Sequence, residues 1–79
     1  MWEIEFSQEA NNYALDSHPY NETVLIAVEQ LAHTVDGLPT EGLYQLLENW
    51  CVWEVSHHTV VYERDRDGLY IWIIKPNPA

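Results

Sequence analysis

The chain has 79 residues, 47% of them hydrophobic, and it includes four tryptophans and five tyrosines. This length predicts a single domain over residues 1–79, and the apolar content is enough for a core without metal or disulfide support. Thirteen acidic residues against three basic ones give a net charge of −10. Such a surface disfavours unaided binding to nucleic acid or anionic membranes, because that binding depends on lysine and arginine.

The only cysteine, Cys51, excludes an intramolecular disulfide and a zinc site made of several thiolates. The opening "MWEIEF" is acidic where a secretory signal is basic, and no apolar run approaches the roughly 18 residues of a membrane span. We therefore predict a cytoplasmic protein that does not associate with membranes and needs no cofactor.

The first half of the chain predicts one strand and two helices. The segment "WEIEF" alternates apolar and acidic residues, which is typical of a half-buried strand. Ser7 can cap a short helix that runs to about Leu15. The His18–Pro19 pair marks a boundary, and Asn21 is a second possible cap. The next helix should end near Asp36 and Gly37. Its apolar stripe repeats at helical spacing: Val24, Val28, Leu31 and Val35.

The second half predicts strands, because it is rich in valine, isoleucine, tryptophan and tyrosine. The Asp67–Gly68 pair is a hairpin signal, since both residues tolerate positive φ. The predicted fold is α+β, with two N-terminal helices packed on a mainly antiparallel sheet of about four strands. The strand segments after the helices are Leu43–Glu48, Cys51–Ser56, His58–Arg64 and Leu69–Lys75.

Three segments resemble the RelE/ParE superfamily of small bacterial toxins: "WEIEFSQEA", the helix "VLIAVEQLA" and "VWEVSHHTVVYERDRDGLYIWII". Together they extend from about Trp2 to Ile74. The resemblance implies that family's fold and a place in a toxin–antitoxin system. Toxic members cut mRNA on the ribosome or inhibit gyrase, and their antitoxin partners wrap around them.

The sequence departs from the family where the chemistry would be. RNA-cutting members carry arginines on the strand before "VVY" and just ahead of it, whereas this chain has Val52, Glu54 and Thr59. Lys75, near the C-terminus, is the basic residue that could stand in. The departure predicts a divergent member that acts by protein–protein contact with weak or no catalysis. Its partner would be an antitoxin-like protein or a second copy of itself.

The alternative is a ribosome-dependent mRNA endonuclease. Under it His58 is the base, Tyr62 the acid and Arg64 the stabiliser of phosphorane charge, since alternation places them on one strand face, with Lys75 on the next strand. His58 and Arg64 are six positions apart, however, or roughly 20 Å along a strand. Tyr62 and Arg64 are better explained as ordinary sheet residues, with the Tyr62 hydroxyl at the surface and Arg64 beside Glu63, Asp65 or Asp67.

Neither the histidines nor the cysteine predicts a metal site. His57 and His58 are consecutive, so on a strand they face opposite sides, and Cys51 is six residues from His57. Cys51 is more simply interpreted as a small buried hydrophobe, because no basic neighbour lowers its pKa.

The aromatic residues of the predicted strands suggest an interface. Alternation sends Trp50 and Trp53 to opposite sides of the sheet, and the helices cover one side. Aromatic side chains on the uncovered side would form a protein-binding surface. The candidate interface residues are Trp50, Trp53, Tyr70 and Trp72.

Overall fold

The computed structural model describes residues 1–16, 21–66 and 68–78. The predicted His18–Pro19 boundary and Asp67 of the hairpin signal lie outside these ranges. The elements in chain order are β1 (Glu3–Phe6), α1 (Gln8–Asp16), α2 (Glu22–Gln30), a 3₁₀ turn (Leu31–His33), β2 (Leu43–Leu47), β3 (Trp50–Val55), β4 (His58–Asp65) and β5 (Gly68–Pro76).

The strands form one mixed sheet in the order β1-β5-β4-β3-β2. β1 runs parallel to β5, and the other three pairings are antiparallel. The predicted α+β class and mainly antiparallel sheet are confirmed. The sheet has five strands where about four were expected, because β1 joins the edge of the meander. The helical crossover between β1 and the later strands is the kind of connection that a parallel pair requires.

The helix termini are fixed by two buried polar side chains. Ser7 caps α1 as predicted, since its Oγ accepts a hydrogen bond from the Ala10 backbone N–H at 3.1 Å. Asn21 precedes α2 but makes no side-chain cap there. Its Nδ2 instead donates to the backbone carbonyls of Tyr13 and Ala14, at 2.7 and 3.1 Å. Asn21 therefore ties the end of α1 to the start of α2.

The second helix is shorter than its apolar repeat predicted. α2 ends at Gln30, and the chain leaves the 3₁₀ turn at Thr34, which is extended with ψ 156°. The Thr34 hydroxyl donates to the Leu31 carbonyl at 2.8 Å, a local bond that competes with helix continuation. Val35, placed on the inner stripe by the sequence, is 98% exposed. Gly37 adopts φ 72° but lies in the loop beyond Thr34, so the prediction that it caps this helix is wrong.

The β4–β5 hairpin forms where the sequence predicted it, but Gly68 is a strand residue. Gly68 already belongs to β5, where it is paired with Asp65 and with Glu3 of β1. Arg66, a non-glycine residue, has φ 43°. Arg66, and not Gly68, is therefore the residue with positive φ beside this turn.

The core lies between the helices and one face of the sheet, here called the helix side. Register places Cys51, Trp53, Val60 and Tyr62 on this face with their cross-strand neighbours. No helix in the described part of the chain has the length and apolar character needed to cross a bilayer. The buried apolar residues form one cluster: Ala10, Val24, Ala27, Val28, Leu31, Cys51, Trp53, Val55, Val60, Tyr62, Leu69, Ile71 and Ile74.

Candidate functional site

The face of the sheet opposite the two described helices carries an aromatic surface, here called the open face. Three of the four aromatic residues predicted for an interface lie there: Trp50, Tyr70 and Trp72. The fourth, Trp53, is on the helix side and is only 1% exposed. Its Nε1 donates to the Glu41 carbonyl at 2.8 Å, which satisfies the indole in the core. Trp53 is thus a core residue and not a surface residue as predicted, while the interface role of the other three stays a prediction.

A β-bulge places Trp72 on the open face. Val61 pairs with Ile73, whereas the next residue, Tyr62, pairs with Ile71, so Trp72 is the extra residue on β5. The bulge resets the alternation of side chains. Ile71 and Ile74 therefore both enter the core, and Trp72 and Ile73 both face away from it.

Ser7 holds the bulge in place from the start of α1. Its hydroxyl donates to the Trp72 carbonyl at 2.6 Å while accepting from Ala10, and its backbone N–H donates to the Ile71 carbonyl at 2.8 Å. One buried serine therefore caps the helix and satisfies carbonyl groups at the irregular part of β5. The residue that caps α1 therefore also fixes the backbone of β5 at Trp72.

The aromatic side chains of the open face contact one another through Trp72. The ring centroids of Trp72 and Tyr70 are 4.6 Å apart at 65°, and those of Trp72 and Trp50 are 5.7 Å apart at 34°. Trp72 remains 40% exposed. This arrangement is a preformed aromatic surface, because each ring is held by a neighbouring ring or strand.

Glu63 lies between two of these rings. From its position on β4, Glu63 pairs with Trp50 on β3 and with Tyr70 on β5. Its Oε1 is 3.4 Å from Trp72 Nε1, a long hydrogen bond. Within the described ranges no lysine or arginine forms an ion pair with this half-buried carboxylate. Glu63 is therefore a carboxylate with an aromatic residue as its partner on each neighbouring strand and with the Trp72 indole N–H at its Oε1.

A groove of about 490 Å³ runs along this surface. The other charged residues that register places on the open face are acidic, except for Lys75. The groove is lined by Ser7, Glu9, Trp50, Val61, Trp72 and Ile73. The further carboxylates of the open face are Glu3, Glu5, Glu54 and Asp65.

The edge strand β2 extends the exposed apolar surface. All five of its residues are exposed, and Leu43 reaches 77%. Natural edge strands are commonly protected by lysine, proline or a bulge. β2, with the sequence "LYQLL", contains neither lysine nor proline and pairs with β3 in continuous register. It is therefore a second exposed apolar feature beside the open face.

The four residues nominated for catalysis are not brought together. His58 and Tyr62 are buried on the helix side, whereas Lys75 pairs with Thr59 on the open face. Arg64 is on the helix side, and its Nη1 donates to the Asp36 carbonyl at 2.8 Å. The sheet itself separates Lys75 from the other three groups.

His58 is held by hydrogen bonds at both ring nitrogens. Nδ1 is 2.7 Å from the Ser56 carbonyl, and Nε2 is 2.6 Å from the Tyr13 hydroxyl. Since a carbonyl can only accept, Nδ1 carries a proton, and Nε2 shares the second hydrogen bond with the Tyr13 hydroxyl. These bonds fasten β4 to α1. They engage both ring nitrogens, including the one that a general base would use.

Tyr62 and Cys51 are neutral core groups. Burial, with a smaller effect of Cys51, raises the pKa of Tyr62 well above its usual 10.0. Burial also raises the pKa of Cys51 above its usual 9.0, outweighing the opposing effects of Tyr62 and Arg64. The Tyr62 hydroxyl donates to the Gly37 carbonyl at 2.8 Å. Neither group is disposed to lose a proton near neutral pH.

These shifts predict that alkali destabilises the fold. In the unfolded chain the thiol and the phenol ionise near their usual pKa values, while in the folded chain both keep their protons. The contribution of these two groups to the free energy of unfolding is therefore fully present below about pH 9, and it decreases as the pH rises above that value. Urea unfolding at about pH 8 and about pH 10.5 measures the loss. Cys51→Ala should flatten the first part of this dependence, and an unchanged profile would contradict the assignment.

Among the described residues, no group of three histidine, cysteine, aspartate or glutamate side chains is placed to hold a metal ion. His57 and His58 differ in environment, since His57 is exposed in the β3–β4 turn with φ 62° and His58 is buried. The turn, and not only strand alternation, separates the two imidazoles.

Searches against protein-family models, curated proteins and solved structures find no match. The chemistry of the open face is therefore inferred from its own residues alone. Sequence reasoning missed the bulge and the position of Glu63. The bulge had no signal in the apolar run "LYIWII", because a regular strand can carry apolar residues on both faces. Glu63 carried no signal, because its position depends on the register of three strands.

Proposed function

We propose that this chain is a protein-binding domain, a divergent acidic member of the RelE/ParE superfamily that acts through contact with a partner protein. The observation that carries the proposal is the aromatic cluster on the open face, in which Trp72 is exposed and Trp50 and Tyr70 are half-buried. Tryptophan and tyrosine are the residues most enriched at the energetic centres of protein interfaces. Adjoining tryptophans on an uncovered sheet face are typical of protein interaction sites.

The chain order supports the family part of the proposal. A strand, two helices and a closing meander follow one another as the "WEIEFSQEA" and "VVYERD" resemblance implies. The family part also proposes an antitoxin-like partner, whose gene would be expected beside this one. A second copy of the chain is the less favourable partner, because two molecules of charge −10 repel each other.

Partner capture with matched variants tests the proposal. The tagged chain, expressed in its own cells, should retain a stoichiometric partner, and Trp50→Lys with Trp72→Lys should release it. Ile26→Lys is the control, since Ile26 on α2 is 49% exposed but lies away from the open face. Equal retention by all variants would place the contact elsewhere. A concentration-dependent dimer of the purified chain would replace the partner with a second copy.

The competing hypothesis is an mRNA endonuclease that uses His58, Tyr62, Arg64 and Lys75 on the ribosome. The opposite placement of Lys75 and the engaged ring of His58 weigh against it. We expect cells to grow normally when the chain is induced. Growth arrest that His58→Ala or Lys75→Ala relieves would favour the endonuclease instead.

A further inference from the structure

We infer that Trp50, Glu63, Tyr70 and Trp72 form a receptor for an arginine side chain of a protein partner. The inference rests on the proposed function and adds the chemistry that the partner must present. Aromatic faces attract cations through the negative charge of the π system, and several rings around one point form the usual cage for such groups. Here the cage also contains a carboxylate.

The cage is built across three adjacent strands. Trp50, Glu63 and Tyr70 form one cross-strand row, and the bulged Trp72 contacts both ring neighbours. Glu63 receives one long hydrogen bond from Trp72 Nε1, at 3.4 Å, so its oxygens retain accepting capacity. A cation stacked on Trp72 would meet these oxygens at the N–H edge of the indole.

The charge of the surface selects a cationic partner. Glu5 lies opposite Tyr70 on β1, extending the row by a second carboxylate. Glu9 lines the groove next to Trp72, and the chain as a whole carries −10. This field attracts a basic segment and repels both nucleic acid and a second copy of the chain.

Arginine fits the cage better than lysine. A guanidinium group is planar, stacks on aromatic faces and presents several N–H donors to a carboxylate, whereas an ammonium is a compact, strongly hydrated charge. Stacking on Trp72 with donation to Glu63 uses both properties of the guanidinium.

Peptide titration tests the inference. The probe is a capped nonapeptide with one central arginine flanked by valine, alanine, serine and glycine, titrated into the full chain while the Trp72 indole N–H resonance is followed. The matched peptide carries citrulline, which keeps the shape of arginine but removes the charge. A third peptide carries lysine. The protein variants are Glu63→Gln and, as a charge control on α2, Glu29→Gln.

We expect the citrulline peptide and the Glu63→Gln variant each to weaken binding by about tenfold. Lysine should bind a few-fold more weakly than arginine, and Glu29→Gln should change affinity by less than about twofold. Equal binding of the arginine and citrulline peptides, equal effects of the two glutamine variants, or no binding of any peptide would overturn the inference. The partner-capture result with Trp72→Lys is independent of these outcomes, so the protein-binding proposal can survive such a failure.

Discussion

Replacing Trp53 with alanine is expected to lower the free energy of unfolding by about 3–5 kcal/mol. The side chain is 1% exposed and packs edge-on against Tyr62, with ring centroids 6.3 Å apart. Its removal leaves a cavity in the core and takes the Nε1 donor from the Glu41 carbonyl. A chain of this length has roughly 4–12 kcal/mol of total stability, so the variant should be close to unfolding.

Trp72→Ala is the matched control for this substitution. The same residue type is removed, but from the open face, where the indole is 40% exposed. We expect a loss of less than about 1.5 kcal/mol from Trp72→Ala in urea unfolding. Similar losses from both variants would mean that the open face is packed as tightly as the core, which contradicts its role as a free surface.

Gly42→Ala is the second substitution with a large expected effect. Gly42 has φ 75°, a conformation that disfavours residues with a Cβ atom. A Cβ at this position would lie 2.3 Å from the Glu54 carbonyl oxygen and 2.9 Å from Trp53 Nε1. Because the first contact is with backbone, the β2–β3 hairpin has to shift. We expect a loss of about 3 kcal/mol or more, measured by thermal or urea unfolding.

Gly68→Ala supplies the comparison for Gly42→Ala. Gly68 does not have a positive φ, and its nearest neighbour to a new Cβ is the Asp65 carbonyl oxygen at 3.6 Å, an ordinary contact. The variant should remain within about 1 kcal/mol of the parent chain. A greater loss at Gly68 than at Gly42 would show that the glycines have the opposite roles.

Local pattern was sufficient for most of the fold. The alternation in "WEIEF" and the Ser7 cap predicted β1 and the start of α1, because each depends only on neighbouring residues. The end of α2 could not be predicted from the apolar repeat alone. Val35 continues the apolar repeat, but the Thr34 bond to Leu31 and the Trp2 N–H bond to Ala32 favour an earlier exit. The second of these contacts comes from Trp2, just before β1, and cannot be predicted from helical periodicity.

The candidate site could be predicted only in part. Composition and strand pattern identified Trp50, Tyr70 and Trp72 as surface aromatics, but they also nominated Trp53, since nothing local says which face the helices cover. Glu63 reaches the centre of the cluster only through pairing with two other strands. Register is a long-range property, and the bulge at Trp72 shifts it by one residue.

The central claim is that a partner protein covers the open face. Hydroxyl-radical footprinting of the captured complex tests it most directly, because the radicals oxidise exposed tryptophan and tyrosine side chains. We predict that Trp72 and Tyr70 are protected in the complex and oxidised in the free chain, while Ile26 and Leu15 on the helices react equally in both. Protection of Ile26 and Leu15 with Trp72 still fully reactive would contradict the claim.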